Sequence, residues 1–238
     1  MRGLIIFIFV ITSFCSYGQS TVSNDFRRFQ IGINFSPDVA YRILKRNDGS
    51  STSNTMIDWR NKNEVPKFGY TAGLNFGYNI KSFIGIETGI QYSNKGFQTK
   101  KQTLTFDPLF GISSITYKSI EDFHYIDIPV QVNLTIGKQK VRFFTSIGLI
   151  TNILVQATNT SIFEENGKVT KDTDKSTWDY NRINLSPMLS LGIDYKINNQ
   201  MNLRIEPTFR FGTLKIIDTP ITSYLYCGGV NVSYYFGL

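Results

Sequence analysis

The stretch HYIDIPVQVNLTI, His124 to Ile136, alternates with a period of two. Ile126, Ile128, Val130, Val132, Leu134 and Ile136 fall on one face, and Asp127, Gln131, Asn133 and Thr135 on the other. Successive side chains of an extended strand point to opposite faces, so this is a strand with one apolar and one polar side. What remains to be decided is which side meets which solvent.

The same period recurs along the chain. Strand-like segments are expected at about 29–42, 67–80, 82–97, 122–136, 141–156, 182–197, 201–213 and 222–237. In their central parts the apolar faces carry no Asp, Glu, Lys or Arg. The polar faces carry Asp38, Glu87, Asp127, Arg142, Asp194, Arg204, Glu206 and Arg210, among many Gly, Ser, Thr and Asn. A water-soluble barrel turns its apolar face inward and its charges out. Here the polar face is small and glycine-rich, as a cramped interior requires, and the apolar face is bulky and aromatic, as a lipid-facing band requires. One Arg or Lys on the lipid face at the bilayer midplane costs roughly 2–4 kcal/mol, so the exclusion of charge from that face points it at lipid. The glycines Gly69, Gly73 and Gly77 share one face of the second segment and read as strand-interior glycines.

Connection lengths agree. The gaps 43–66, 98–121 and 157–181 are long, whereas Lys81, 137–140 and 198–200 are short; 214–221 is intermediate. Long and short alternate as in an outer-membrane barrel with long extracellular loops and short periplasmic turns. The expected fold is all-β: an eight-stranded antiparallel up-and-down transmembrane β-barrel. Aromatics at the expected strand ends, namely Phe29, Tyr41, Phe68, Tyr78, Phe97, Phe123, Tyr125, Tyr195, Phe211, Tyr224, Tyr234 and Phe236, suit the lipid–water boundary.

The N-terminus reads as an export signal. Met1-Arg2 supplies a positive start, the run from Leu4 to Ile11 an apolar core, and Ser16 and Gly18 small residues at a cleavage site before Gln19. Residues 1–18 are therefore expected to be a signal peptide, 19–28 a short periplasmic segment and 29–238 the barrel. Phe14 before Cys15 is wrong for lipoprotein processing. Cys227 is then the one cysteine of the mature chain, and with His124 the single histidine no zinc set is expected. The formal charge of +7 is scattered rather than clustered, and an exported chain is not expected to bind nucleic acid.

Candidate sites are few. Glu87, Asp127, Arg142, Arg204, Glu206 and Arg210 are expected to form a polar network in the lumen. An eight-stranded interior is about wide enough for side chains alone, and buried charges need partners, so a filled lumen is favoured over a conducting path. His124, with Asp122 and Asp127 nearby, has the chemistry for acid–base work, but no serine lies two residues to either side. The acidic stretch 164–179 has oxygen ligands suitable for Ca²⁺ but no recognised loop spacing. No catalytic set and no cofactor are expected. Loop charge is small: 45–66 carries +1 and 157–180 carries −2.

Three stretches carry a family resemblance: GIETGIQYSNKG from Gly85 to Gly96, HYIDIPVQVN from His124 to Asn133, and RIEPTFRFG from Arg204 to Gly212. The chain resembles the PorT-like small outer-membrane β-barrel proteins of Bacteroidetes over nearly its whole mature length. The resemblance implies the barrel fold, the outer membrane, and aromatics in the last strand. Tyr234 and Phe236 fit that pattern, and the terminal Leu238 departs from it. It implies little about activity; the family's namesake belongs to a protein-secretion apparatus. The expected role is structural or surface-interaction, with a narrow porin-like channel and a lipid-modifying enzyme as alternatives. Expected partners are outer-membrane lipids and lipopolysaccharide, the outer-membrane assembly machinery during insertion, and an envelope protein complex.

Overall fold

The computed structural model describes residues 27–105, 114–165, 167–177 and 179–238. The expected signal peptide lies outside the described residues, as does the expected 19–28 segment apart from Arg27 and Arg28. The elements are β1 (Phe29–Arg46), α1 (Ser51–Asn63), β2 (Glu64–Lys81), β3 (Ile84–Thr99), β4 (Gln102–Thr105), β5 (Ser114–Ile136), β6 (Val141–Glu165), β7 (Lys168–Ser176), β8 (Ile183–Lys196), β9 (Met201–Phe211) and β10 (Ile221–Gly237).

Eight of these strands form a closed antiparallel ring in the order β1-β2-β3-β5-β6-β8-β9-β10. It closes where β10 pairs with β1, from Gln30 opposite Gly237 to Arg46 opposite Ile221. Closure leaves no unpaired sheet edge around the wall, the condition for a strand structure surrounded by lipid. Alternation then sorts the side chains of the apolar band into outward and inward sets. Ile147 is 66% exposed on the outside, whereas Asp127 on the neighbouring strand is 0% exposed inside. Ile33, Phe68, Ile90, Val130, Ile183, Phe209 and Val230 extend the outward apolar band around the ring. Arg27 and Arg28 are tied to the short-turn end, where their carbonyls accept from the Asn79 side chain and backbone N–H at 2.8 and 2.7 Å.

The long connections are more structured than expected. The first holds α1, whose N-cap Ser50 accepts from the Thr52 N–H at 3.2 Å. Asp48 braces that turn by accepting from Ser53 Oγ at 2.7 Å and the Ser50 N–H at 3.1 Å, and these two bonds hold its carboxyl below the usual range. A strand needs about 9–11 residues to cross a bilayer; β5 has 23 and β6 has 25. Their outer halves keep pairing, from Ile115 opposite Glu165, and recruit β4 and β7 into a four-stranded extension. These segments are rich in Thr, Ser and charge, so they pair as strands without an apolar alternation that would reveal them.

Phe97, Phe123 and Tyr125 correct the expected aromatic boundary. They point inward and are buried. Because β5 continues to Ser114, Phe123 and Tyr125 are mid-strand residues on the parity of Asp127. They form an apolar plug with Leu154, Ala157, Ile216 and Leu225 at the long-loop end of the lumen. The outward limit of the apolar band is marked instead by Asp122, on the outward parity, which pairs with Lys67 at 2.5 Å.

Candidate functional site

The lumen below the plug is filled with polar side chains in separate clusters. The densest surrounds Glu87 on β3. Its carboxylate accepts from Gln131 Nε2 at 2.8 Å, Asn133 Nδ2 at 2.9 Å, Tyr235 Oη at 2.7 Å and Arg204 Nη1 at 3.0 Å. Arg204 lies between two rings, 3.7 Å from the Phe144 centroid and 4.2 Å from that of Tyr235. Asn75 donates to Tyr235 Oη at 3.0 Å, and Gln91 to Asn75 at 2.8 Å. β2, β3, β5, β6, β9 and β10 are thereby tied together across the interior.

The other expected lumen residues sit in neighbouring clusters. Arg210 donates to Asp38 at 2.9 Å and Thr71 at 3.1 Å, and Thr71 and Ser36 also donate to Asp38. Asp127 pairs with Lys95 at 2.9 Å and accepts from Asn152 at 2.6 Å, which in turn accepts from Ser186. Glu206 accepts from Ser190 and, at 3.0 Å, from Asn231. Arg142 pairs with Asp194 at the short-turn end. Only Glu87 and Arg204 of the expected set pair with each other.

Lys95, Tyr235 and Phe144 were not among the expected lumen residues. The parity signal was present, since Lys95 follows Glu87, Gln91 and Ser93 on the inward face, and Tyr235 sits between the outward Tyr234 and Phe236. Between the polar clusters, the pocket lined by Lys95, Asn152, Ser186, Arg210 and Cys227 has a volume of about 10 Å³, room for one water. Packing this close depends on missing side chains: a Cβ on Gly229 would lie 2.0 Å from Asp38 Oδ1. Gly229→Val is therefore expected to push Asp38 off Arg210 and lower stability by about 1–3 kcal/mol, read as an earlier loss of the heat-modifiable folded band on a gel.

His124 is on the outer wall near the upper limit of the apolar band. Its Nδ1 is 2.5 Å from Tyr92 Oη and 3.3 Å from Asn94 Nδ2. Among the described residues no group of three or more His, Cys, Asp or Glu side chains is placed to hold a metal.

Above the plug, a cavity of about 250 Å³ opens at the long-loop end. Phe97, Phe123, Ile216, Tyr180, Ile217 and Ile221 supply apolar walls, and Arg60, Glu64, Glu121, Thr219 and Ser223 line the rest. Arg60 is delivered by the last turn of α1, four residues before Glu64, and donates to it through Nε at 2.5 Å and Nη2 at 3.4 Å. Arg42 of β1 donates to the same carboxylate at 2.8 Å. Glu121 faces this group from β5, above the level of the outward Asp122–Lys67 pair and so outside the apolar band. Burial pushes its carboxyl up to about 7; Arg60 and Arg42 oppose that shift and Glu64 reinforces it.

Residues 17–213 match the family described as the outer membrane protein beta-barrel domain. The chain belongs to this family. It is an outer-membrane β-barrel protein, and its apolar outer band is the lipid-facing surface. No curated protein matches it in sequence. Among solved structures it is similar to Neisserial surface protein A, with 10% identity, 88% of this chain and 97% of that chain covered, and a TM-score of 0.47. OprG from Pseudomonas aeruginosa shares 11% identity over 89% of this chain and 97% of its own, with a TM-score of 0.46. The outer membrane protease OmpT from Escherichia coli shares 7% identity over 94% and 100%, with a TM-score of 0.44.

Proposed function

We propose that this protein is a closed, non-enzymatic barrel that serves the envelope structurally and through its surface, with the long-loop end facing outside. The filled lumen carries this reading. Glu87, Arg204, Tyr235 and Phe144 bridge opposite walls, and the pocket between the clusters admits about one water. A hydrated ion has no path through side chains held by partners on several strands. His124 is engaged by Tyr92 and Asn94 rather than by a serine, which favours a boundary role over hydrolysis. The extension formed by β4, β5, β6 and β7 is the surface offered to envelope partners. Lipids and lipopolysaccharide contact the wall, and the assembly machinery reads the last strand. A PorT-like membership is the finer reading that the resemblance suggests within that family, and it adds no specific activity.

Planar-bilayer recording tests the closed barrel. The expected trace for the purified protein shows no stable unitary steps. Steady steps, with ion selectivity altered by Arg204→Ala or Arg210→Ala, would establish the channel reading instead.

A further inference from the structure

We infer that the cavity at the long-loop end is a binding site for a small zwitterion with an apolar side chain, an amino acid of about the size of leucine or phenylalanine. The inference goes beyond the closed-barrel reading and does not depend on whether the lumen conducts. Its volume of about 250 Å³ equals roughly eight waters of liquid. The apolar walls of Phe97, Phe123, Ile216 and Tyr180 suit a hydrocarbon or aromatic body rather than water alone.

The two charged groups of the ligand, carried on one carbon, follow from the polar groups that line the cavity. Glu64 is shared by Arg42 and Arg60, so that trio carries one net positive charge. Arg60 uses Nε and Nη2 on Glu64 and stays 21% exposed, which leaves its Nη1 open to a further acceptor. A ligand carboxylate is a strong acceptor for it. Glu121 lines the same cavity within electrostatic reach of Arg60 and Arg42, and is in no ion pair among the described residues. A ligand ammonium is its complement, and the neighbouring aromatic rings add attraction for a cation. An amine alone would leave the cavity with excess positive charge, and an anion alone would leave Glu121 unmatched.

The charged and titratable groups facing Glu121 are Arg42 from β1, Arg60 from α1, Glu64 from β2 and Tyr180 from the segment before β8. The Tyr180 phenol is pushed above its ordinary value by burial. Ligand binding therefore weakens as pH falls through about 7, where the Glu121 carboxyl takes up its proton.

Isothermal titration calorimetry of the full-length protein in lipid nanodiscs, with empty nanodiscs as blank, provides the test. The probes are L-phenylalanine, 2-phenylethylamine and 3-phenylpropionate. Phenylalanine is expected to bind at least tenfold more tightly than either one-ended analogue at pH 8, and more weakly at pH 6. Glu121→Gln should weaken phenylalanine and phenylethylamine about tenfold and leave phenylpropionate unchanged or tighter, while Tyr180→Ala weakens all three alike. Heat-modifiable migration confirms that each variant is folded. The proposal is overturned if phenylalanine gives no binding heat above the blank, binds no better than its analogues, or binds Glu121→Gln as it binds the parent protein. Phenylalanine binding in a barrel that also conducts would remove only the closed-barrel reading.

Discussion

Glu87→Ala is expected to destabilise the barrel by about 3–5 kcal/mol, more than truncating its cationic partner. The asymmetry follows from the inventory of bonds. Without Arg204, the Glu87 carboxylate still accepts from Gln131, Asn133 and Tyr235. Without Glu87, the buried Arg204 guanidinium keeps the Tyr235 hydroxyl and two ring faces, and its Nε has no partner even in the intact protein. An ion loses most when the acceptors left to it are weakest. Arg204→Met, which retains an apolar stem between Phe144 and Tyr235, should therefore cost less than Glu87→Ala. The double variant should cost less than the two single changes added together, because each single change strands a charge that the double change removes. Urea unfolding in lipid vesicles measures all three. Losses below 1 kcal/mol for Glu87→Ala would show that the cluster does not bridge the walls.

The ring was legible in the sequence because one signal, the two-residue period, was read together with charge placement. Asp127 opposite Ile126 and Ile128 was enough to orient β5, and the same reading placed Asp38, Glu87, Arg204, Glu206 and Arg210 inside. Which of them meet was not legible. Arg210 reaches Asp38 across 172 positions of sequence, and that contact depends on strand tilt and stagger, which no single strand encodes. Phe123 and Tyr125 were misplaced for a different reason. Their parity said inside, but nearness to an expected strand end said rim; β5 runs on to Ser114, so the end was not there. The mouth cavity combines α1, β2, β5 and the segments around Tyr180 and Ile216, and no periodicity within one segment reports such a meeting.

A graded penalty for charge along β6 is the sharpest expectation for the outer wall. Leu149 faces outward, pairs with Val130 and Pro187, and lies about midway between the 137–140 turn and Gln156, the residue opposite His124. Leu149→Arg places a guanidinium near the centre of the lipid band and is expected to cost about 2–4 kcal/mol. Val155 is as outward-facing but sits beside the bulge next to His124, at the level where Lys67, Asp122 and Tyr92 already bring polar atoms to the wall. Val155→Arg should cost about 0–1 kcal/mol, since its stem can reach the headgroups. Both residues are on one strand, and their exposures of 46% and 55% are similar, so burial within the protein cannot produce the difference. Only depth in lipid can. Unfolding free energies of the two variants in vesicles decide it. Equal costs would mean that the apolar face does not cross a bilayer at this register, and a harmless Leu149→Arg would turn the charge argument for the whole fold against itself.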